Sequence, residues 1–331
     1  MPQHILVTGG AGYIGSHVVR TLLHEGYTVS VLDNLINGHR KSVASAAGFY
    51  QIDLGDVKAL RSFFDTHSFD AVMHFAAFIE AGISMRKPAE FFENNCVNGF
   101  HLLNEMLRHG IKTFVFSSTA AVYGDPVDDR ITEDHRLKPV NHYGRTKLMF
   151  EQLLNMYEQS YGLSSVALRY FNASGADDSG GIGEDHAPET HLIPLVLQTA
   201  VGLREYINIF GTNYDTPDGT CIRDYIHVND LASAHVLALK KVLSDQTSDV
   251  FNLGNGKGFS VKEVIEAART VTGKKIPVKI AARREGDPAV LVADSTKAKR
   301  VLGWKPNYRS IQSIVESAWK WHESNPHGFQ D

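Results

Sequence analysis

The sequence predicts an α/β protein, a doubly wound parallel sheet followed by a smaller α/β domain. Three observations predict it. The apolar run Ile5-Leu6-Val7-Thr8 breaks into glycines at Gly9, Gly12 and Gly15, which is the pattern of a strand, a phosphate-binding turn and a helix. A second apolar run, Thr28 to Leu32, ends in Asp33, where a carboxylate meets the two adenosine-ribose hydroxyls of a bound dinucleotide. Short apolar runs then alternate with helical patterns as far as Tyr170, as buried parallel strands and their crossover helices do. Residues 1–175, with a returning segment near 224–253, therefore read as a Rossmann-type dinucleotide-binding domain, and 176–331 as a smaller α/β substrate-binding domain.

The first strand ends in a turn that needs Gly9, because glycine alone accepts left-handed backbone at no cost. Gly12 lets backbone N–H groups approach a pyrophosphate, and Gly15 lets the helix Tyr13 to Glu25 lie close on its strand, with Ile14 in its first turn. Gly26 stops that helix. Asp33 would repel a 2′-phosphate, so NAD is favoured over NADP, although Arg40 is near in sequence. Asn34, Asn37 and Gly38 supply turn chemistry at the adenosine end. A third strand, Phe49 to Ile52, runs into Asp53 and Leu54. Asp53 either accepts from the adenine amino group or caps the helix Val57 to Phe64; both readings stay open. Asp70 to Ala77 is an apolar strand running into Phe75, Ala76 and Ala77, small enough in its last residues for a cofactor to lie across the sheet edge. His74 within it reads as a hydrogen-bonded core residue.

A long helix is expected over Glu90 to His109, with Asn95 able to reach the cofactor. The strand Thr113 to Ser117 then breaks into Ser118 and Thr119, which clusters Ser117, Ser118 and Thr119 at a carboxyl strand end, the ligand-binding edge of open α/β sheets. On the following helix Tyr143 and Lys147 stand four residues apart and share a face. A last strand, Ser165 to Tyr170, leads to Asn172 and a composition shift towards Gly, Asp, Pro and His. Beyond it lie His191-Leu192, Ile209-Phe210, Arg223-Asp224-Tyr225 and Arg283-Arg284-Glu285-Gly286-Asp287.

Composition narrows the function classes. The 331 residues carry a net charge of −4 with no basic stripe, which speaks against nucleic acid. No apolar run is long enough to span a bilayer. The first strand begins within four residues of Met1, leaving no room for a leader, so a cytoplasmic enzyme is expected. Cys96 and Cys221 have neither disulfide nor zinc spacing. Of the 16 histidines, the one close pair, His186 and His191, sits in a polar loop without an HExxH pattern, and no metal site is expected.

With the three glycines, Asp33, Thr119, the Tyr143/Lys147 pair and the two arginine motifs in place, the chain resembles the UDP-glucose 4-epimerases of the extended short-chain dehydrogenase/reductase family, from Ile5 to about Trp304. The resemblance implies a resident NAD and a UDP-hexose substrate whose C4 configuration inverts through a transient 4-keto sugar. It gives Tyr143 the role of proton acceptor, Lys147 that of its electrostatic support and ribose anchor, and Thr119, with Ser118 second, that of orienting the same oxygen. Ser117 and Tyr170 are expected on the cofactor. Arg223 and Arg284 would hold the diphosphate, Phe210 beside Ile209 the uracil, Asp287 a ribose hydroxyl, and Asn172, His191 and Leu192 the substrate side; Arg283 reads as an ordinary fold residue. Leu291 stands where a well-known bacterial member has a tyrosine, so a roomier sugar pocket and an alternative N-acetylhexosamine substrate are implied. The segment around Asn95 is one residue longer than in that form. The family also implies a homodimer through two long helices, Glu90 to His109 and Tyr143 to Tyr161. Sugar-nucleotide 4,6-dehydratases carry Asp-Glu where this chain has Ala120-Ala121, which removes elimination chemistry. A non-catalytic NAD-binding regulator would be expected to lack the Tyr/Lys pair.

Overall fold

A computed structural model describes every residue except Met1, Val127, Asp129, Glu285, Gly286 and Asp331. In chain order the first half comprises β1 (His4–Thr8), α1 (Tyr13–His24), β2 (Thr28–Asp33), β3 (Gly48–Gln51), α2 (Val57–Thr66), β4 (Ala71–His74), α3 (Ala81–Ser84), α4 (Pro88–Phe92), α5 (Asn98–Arg108), β5 (Thr113–Thr119), α6 (His142–Tyr161) and β6 (Ser164–Tyr170). The second half comprises β7 (Asn172–Ser174), α7 (Leu192–Ala200), β8 (Ile207–Phe210), β9 (Ile222–His227), α8 (Val228–Asp245), β10 (Asp249–Leu253), β11 (Gly258–Ser260), α9 (Val261–Thr272), β12 (Val278–Ala281), β13 (Val290–Leu291), α10 (Thr296–Val301) and α11 (Ile311–Ser324).

Seven parallel strands form one sheet in the order β10-β6-β5-β4-β1-β2-β3. Strand order reverses between β1 and β4, and the crevice at such a reversal is where open α/β sheets bind ligands. Alternation along the strands builds two cores. Ile5, Val7 and Val115 meet Val18 and Leu22 of α1 and Leu231 and Leu239 of α8, whereas Leu6, Phe114 and Phe116 meet Leu60, Leu102 and Phe150 of α2, α5 and α6. Burying each such side chain contributes ~1.5–3 kcal/mol.

The returning segment begins later than its sequence pattern suggests. β9 belongs to a second sheet, in the order β11-β9-β13 with β7 also on β9, so the chain rejoins the first sheet only at α8 and β10. A third core, with Ile193, Leu197, Ile209, Val264 and Trp319, lies beneath that second sheet and the β12-β8 pair.

The long helix expected over Glu90 to His109 is interrupted. Residues Glu93–Val97 between α4 and α5 form a π turn, the device by which a helix takes in one extra residue. It falls on the segment around Asn95 that is expected from the sequence to be one residue longer.

α6 carries Asn141 as its N-cap, accepting from the Gly144 N–H at 2.8 Å, and ends at Gly162 with φ +67°. Its first turn lies so close to the end of β5 that a Cβ on Gly144 would stand 2.5 Å from the Ala121 carbonyl oxygen. Because that neighbour is backbone, Gly144→Ala should cost roughly 2 kcal/mol of stability, within the ~1–3 kcal/mol range for overpacking. Urea unfolding measures it, and an unchanged midpoint would refute the close contact.

Candidate active site

Two adjoining clefts open at the carboxyl ends of the sheet strands, and Asn172, Ala173 and His191 line both. The first holds about 260 Å³ and the second about 380 Å³.

The first cleft begins at the glycine turn. Gly9 has φ +73°, and a Cβ there would lie 2.4 Å from the Ala76 nitrogen; on Gly15 it would lie 2.2 Å from the Gly9 oxygen. A Cβ on Gly12 would meet only the Gly9 oxygen, at 3.3 Å, so its cleft side is open. Gly12 also N-caps α1 without any side-chain hydrogen bond, leaving the N-terminal N–H groups of a 12-residue helix to face the cleft with the charge an anion wants.

Asp33, 7 % exposed, accepts from Ala11 N at 3.0 Å and Leu35 N at 2.9 Å. Burial pushes its carboxyl above the ordinary range despite those bonds. Asn34 donates to Asp53 at 2.7 Å, and Asp53 accepts from Gly55 N at 2.7 Å. The cap of α2 is Asp56, which accepts from Ala59 N at 3.0 Å; of the two readings of Asp53, helix capping is thereby excluded. Tyr13, Ile14, Asn37, Gly38, Leu54, Phe75, Ala76 and Ala77 also line this cleft. Arg40 does not; its guanidinium lies 4.4 Å over the Phe49 ring.

At the cleft floor stand Ser117, Thr119, Tyr143, Lys147 and Tyr170. The Tyr143 hydroxyl faces the Thr119 side chain, which favours its ionised form, while Lys147 Nζ donates to Ser117 O at 2.8 Å and lies 6.0 Å from the Tyr143 ring centroid. The Tyr170 hydroxyl bonds Ser117 Oγ. Burial raises the Tyr143 phenol to about 12 and lowers the Lys147 ammonium to about 7, because a low-dielectric site disfavours either charge by itself. A phenolate and an ammonium formed together relieve each other. His74 is a core residue as its surroundings predict: its Nδ1 bonds Thr8 Oγ1 at 2.7 Å, and burial drops it to about 3.

Three expected site residues lie elsewhere. Ser118 is fully buried and donates to Glu151, because successive residues of β5 point to opposite faces and only Ser117 and Thr119 share the cleft face. Asn95 is turned inward by the π turn, its amide bonded to both the N–H and the C=O of Phe78 and to Thr146 Oγ1; Asn94 and Asn98 line the cleft instead. Leu291 lines neither cleft, since it packs on the cluster of Ala120, Val122, Tyr123 and Ile131 directly behind Thr119.

In the second cleft, Arg223 pairs with Asp287 at 2.6 Å and donates to Ile222 O at 2.8 Å. Arg284 lies 3.9 Å over Phe210. Leu192, Ile209, Tyr225 and Arg204 complete its walls; Glu285 and Gly286 of the arginine motif lie outside the described residues. Asp224, between Arg223 and Tyr225, is wholly buried and accepts from the N–H groups of Asn255, Gly256 and Ala293, so it clamps β9 to its neighbours. Where the clefts meet, His186 and His191 come together with Glu184 and Glu189, a convergence the loop spacing did not announce. Those carboxylates draw His186 up to about 9 and raise His191 as well, against the opposing effect of burial.

Sequence reasoning also missed the support beneath the floor. Arg169 forks onto Glu151, at 3.0 and 2.6 Å, and donates to the Tyr123 hydroxyl at 3.0 Å; Tyr123 in turn donates to Asn252 at 2.6 Å. Glu151 extends the Tyr143/Lys147 face by one further turn, and that i+8 spacing was the available signal. Glu151→Gln strands the buried guanidinium, and a loss of about 3 kcal/mol is expected in urea unfolding. A loss under about 1 kcal/mol would mean the pair is replaceable.

Residues 5–254 match the family described as the NAD dependent epimerase/dehydratase family. The UDP-glucose 4-epimerase of Halalkalibacterium halodurans is 55% identical over 325 residues, 98% of this chain and 97% of that protein. That of Streptococcus mutans is 51% identical over 99% of each chain. Among solved structures, a UDP-glucose 4-epimerase superposes with a TM-score of 0.97 at 52% identity, covering 99% of this chain and 100% of that one. The Bifidobacterium longum UDP-glucose 4-epimerase in complex with NAD+ and UDP gives 0.93 at 39% identity, covering 98% and 100%.

Proposed function

The chain belongs to the NAD dependent epimerase/dehydratase family, and from that premise we propose that it interconverts UDP-glucose and UDP-galactose, using a resident NAD and a transient 4-keto sugar. The observation that carries the proposal is the Tyr143/Thr119 contact with Lys147 alongside, at the junction of two clefts. We read residues 1–175 with 228–253 as the cofactor-binding part and the remainder as the part that grips the UDP-sugar.

The first cleft fits NAD. Its uncapped helix start and side-chain-free Gly12 suit a diphosphate, and Asp33 suits two ribose hydroxyls. Arg40 lies over Phe49, outside the lining of the cleft. When bound, NAD reversibly accepts hydrogen and its electron pair from a carbon bearing a hydroxyl. The protein's own groups manage the proton. Thr119 holds the Tyr143 oxygen in place, Tyr143 takes the proton from the C4 hydroxyl, and the Lys147 ammonium stabilises the phenolate that this requires. Lys147 is fixed for that role by its bond to Ser117 O.

Inversion requires a firmly held nucleotide and a loosely held hexose. Arg223 and Arg284 supply forked donors for the diphosphate, Phe210 a face for uracil, and Asp287 an acceptor for a ribose hydroxyl. As Arg223 and Asp287 already bond each other, an incoming nucleotide has to share both. The Asp-Glu pair of the dehydratases has no counterpart at Ala120-Ala121, and Ala120 is buried in an apolar cluster where a carboxylate would be stranded.

Proton NMR of the anomeric signals, on UDP-glucose and UDP-N-acetylglucosamine without added reductant, tests the reaction. UDP-galactose should accumulate with no net NADH, and continuous NADH production would instead indicate a dehydrogenase. Tyr143→Phe should lower turnover at least ~100-fold while UDP still binds; a near wild-type rate removes Tyr143 from the chemistry.

We also propose that two copies associate through the apolar strip of α4, α5 and α6. Phe92, Phe100, Met149 and Met156 are 45, 41, 48 and 61 % exposed along it, a contiguous patch of the kind monomers avoid. Met156→Asp should shift the particle to monomer mass in light scattering; an unchanged mass rejects this face. No described helix is long and apolar enough to cross a membrane, and two free thiols, Cys96 and Cys221, support a cytoplasmic setting.

A further inference from the structure

Four side chains with metal-binding donors converge where the two clefts meet, and the reaction proposed above uses none of their convergence. The loop between β7 and α7 places Glu184, His186, Glu189 and His191 so that one donor atom from each lies within 4.8 Å of the others. His191 Nδ1 stands 2.9 Å from Glu184 Oε1 and 3.0 Å from Glu189 Oε1; His186 Nδ1 stands 3.4 Å from the first and 3.6 Å from Glu189 Oε2. Zinc bonds to His nitrogen and carboxylate oxygen are roughly 2.0–2.2 Å, so the edges of their tetrahedron are roughly 3.3–3.6 Å. The two His186 separations already have that length, the two His191 separations need to open by a few tenths of an ångström, and Glu189, which meets the two histidines through different oxygens, has to present one of them to both.

Two further observations point to a cation. His186 Nδ1 is buried and has no hydrogen-bond partner, although it is aimed at two carboxylates. Those carboxylates are themselves sequestered, with side chains 4 and 5 % exposed. Once both imidazoles give up their protons to ligate, as metal binding requires, the two carboxylates carry two negative charges, which one divalent cation balances. The loop is also held in shape from outside. A Cβ on Gly183 would meet the Trp321 ring at 2.3 Å, and Asp185 accepts from Phe329 N at 2.8 Å.

We propose that Glu184, His186, Glu189 and His191 form a structural site for one divalent transition-metal cation, with Zn2+ the best match. Two imidazoles and two carboxylates in four-coordinate array suit zinc, whereas calcium and magnesium demand oxygen ligands in larger number. Bound there, the cation fixes the loop that walls both clefts and leads directly into Leu192 of α7. His191 would ligate through Nδ1 and keep Nε2 for the clefts it lines.

Metal content of untagged protein, measured by mass spectrometry after gel filtration, should be about one zinc per chain. After treatment with a chelator, addition of Zn2+ should raise the thermal midpoint, while Mg2+ and Ca2+ should not. Co2+ in its place should give the intense visible absorption of tetrahedral cobalt. His186→Ala and Glu184→Gln should each abolish the cobalt spectrum and the zinc-dependent shift. If either variant fails to fold, the wild-type spectrum and shift decide. Protein that retains no zinc and shows neither absorption nor thermal response overturns the proposal, as does a response that survives in both variants. None of these readouts depends on epimerase turnover, so failure here and failure of the proposed reaction are separately visible.

Discussion

The constraint on which the site depends is the close approach of α6 to the end of β5. Gly144 has no room for a methyl group against the Ala121 carbonyl, and this contact sets the height of the helix over the sheet. Tyr143 and Lys147, on one face of that helix, are thereby delivered to the strand residues that share the cleft, Thr119 and Ser117. The Arg169/Glu151 pair braces the same helix from the opposite strand face. A charged chemistry in a low-dielectric floor requires such rigidity, because the groups must meet without solvent to compensate for misplacement.

The electrostatics of the floor follow from the same burial. A phenol pushed to about 12 and an ammonium drawn down to about 7 are poor acid-base partners in isolation. They become matched only when a charge change at one is answered at the other, or when a cationic ring lies across the cleft. The pair is therefore coupled to whatever occupies the first cleft, which suits a cofactor that stays in place.

Much of this was legible in the sequence because it rests on local rules. The glycine turn, Asp33 and the Tyr143/Lys147 face are set by strand and helix periodicity, and the parallel, doubly wound character of the sheet follows from apolar runs that alternate with helical patterns. The misreadings also have local causes. Ser118 looked like its neighbours until strand alternation separated them, and helix periodicity carried through Asn95 hid a π turn that rotates it inward. Other features were out of reach. Helix spacing puts Glu151 on the Tyr143/Lys147 face but does not name Arg169 as its partner, and Asp224 with three backbone N–H groups and the His/Glu convergence at 184–191 are assembled by tertiary contacts between distant or irregular segments, for which no periodic pattern exists.

The π turn between α4 and α5 also decides which asparagine meets the first cleft. A wide turn swallows one residue inside a helix, so everything downstream keeps its face and everything upstream keeps its own. Numbering carried across from a protein lacking that residue slips by one on a single side of the turn. Removing that one residue would leave both helices standing while changing which asparagine looks into the crevice.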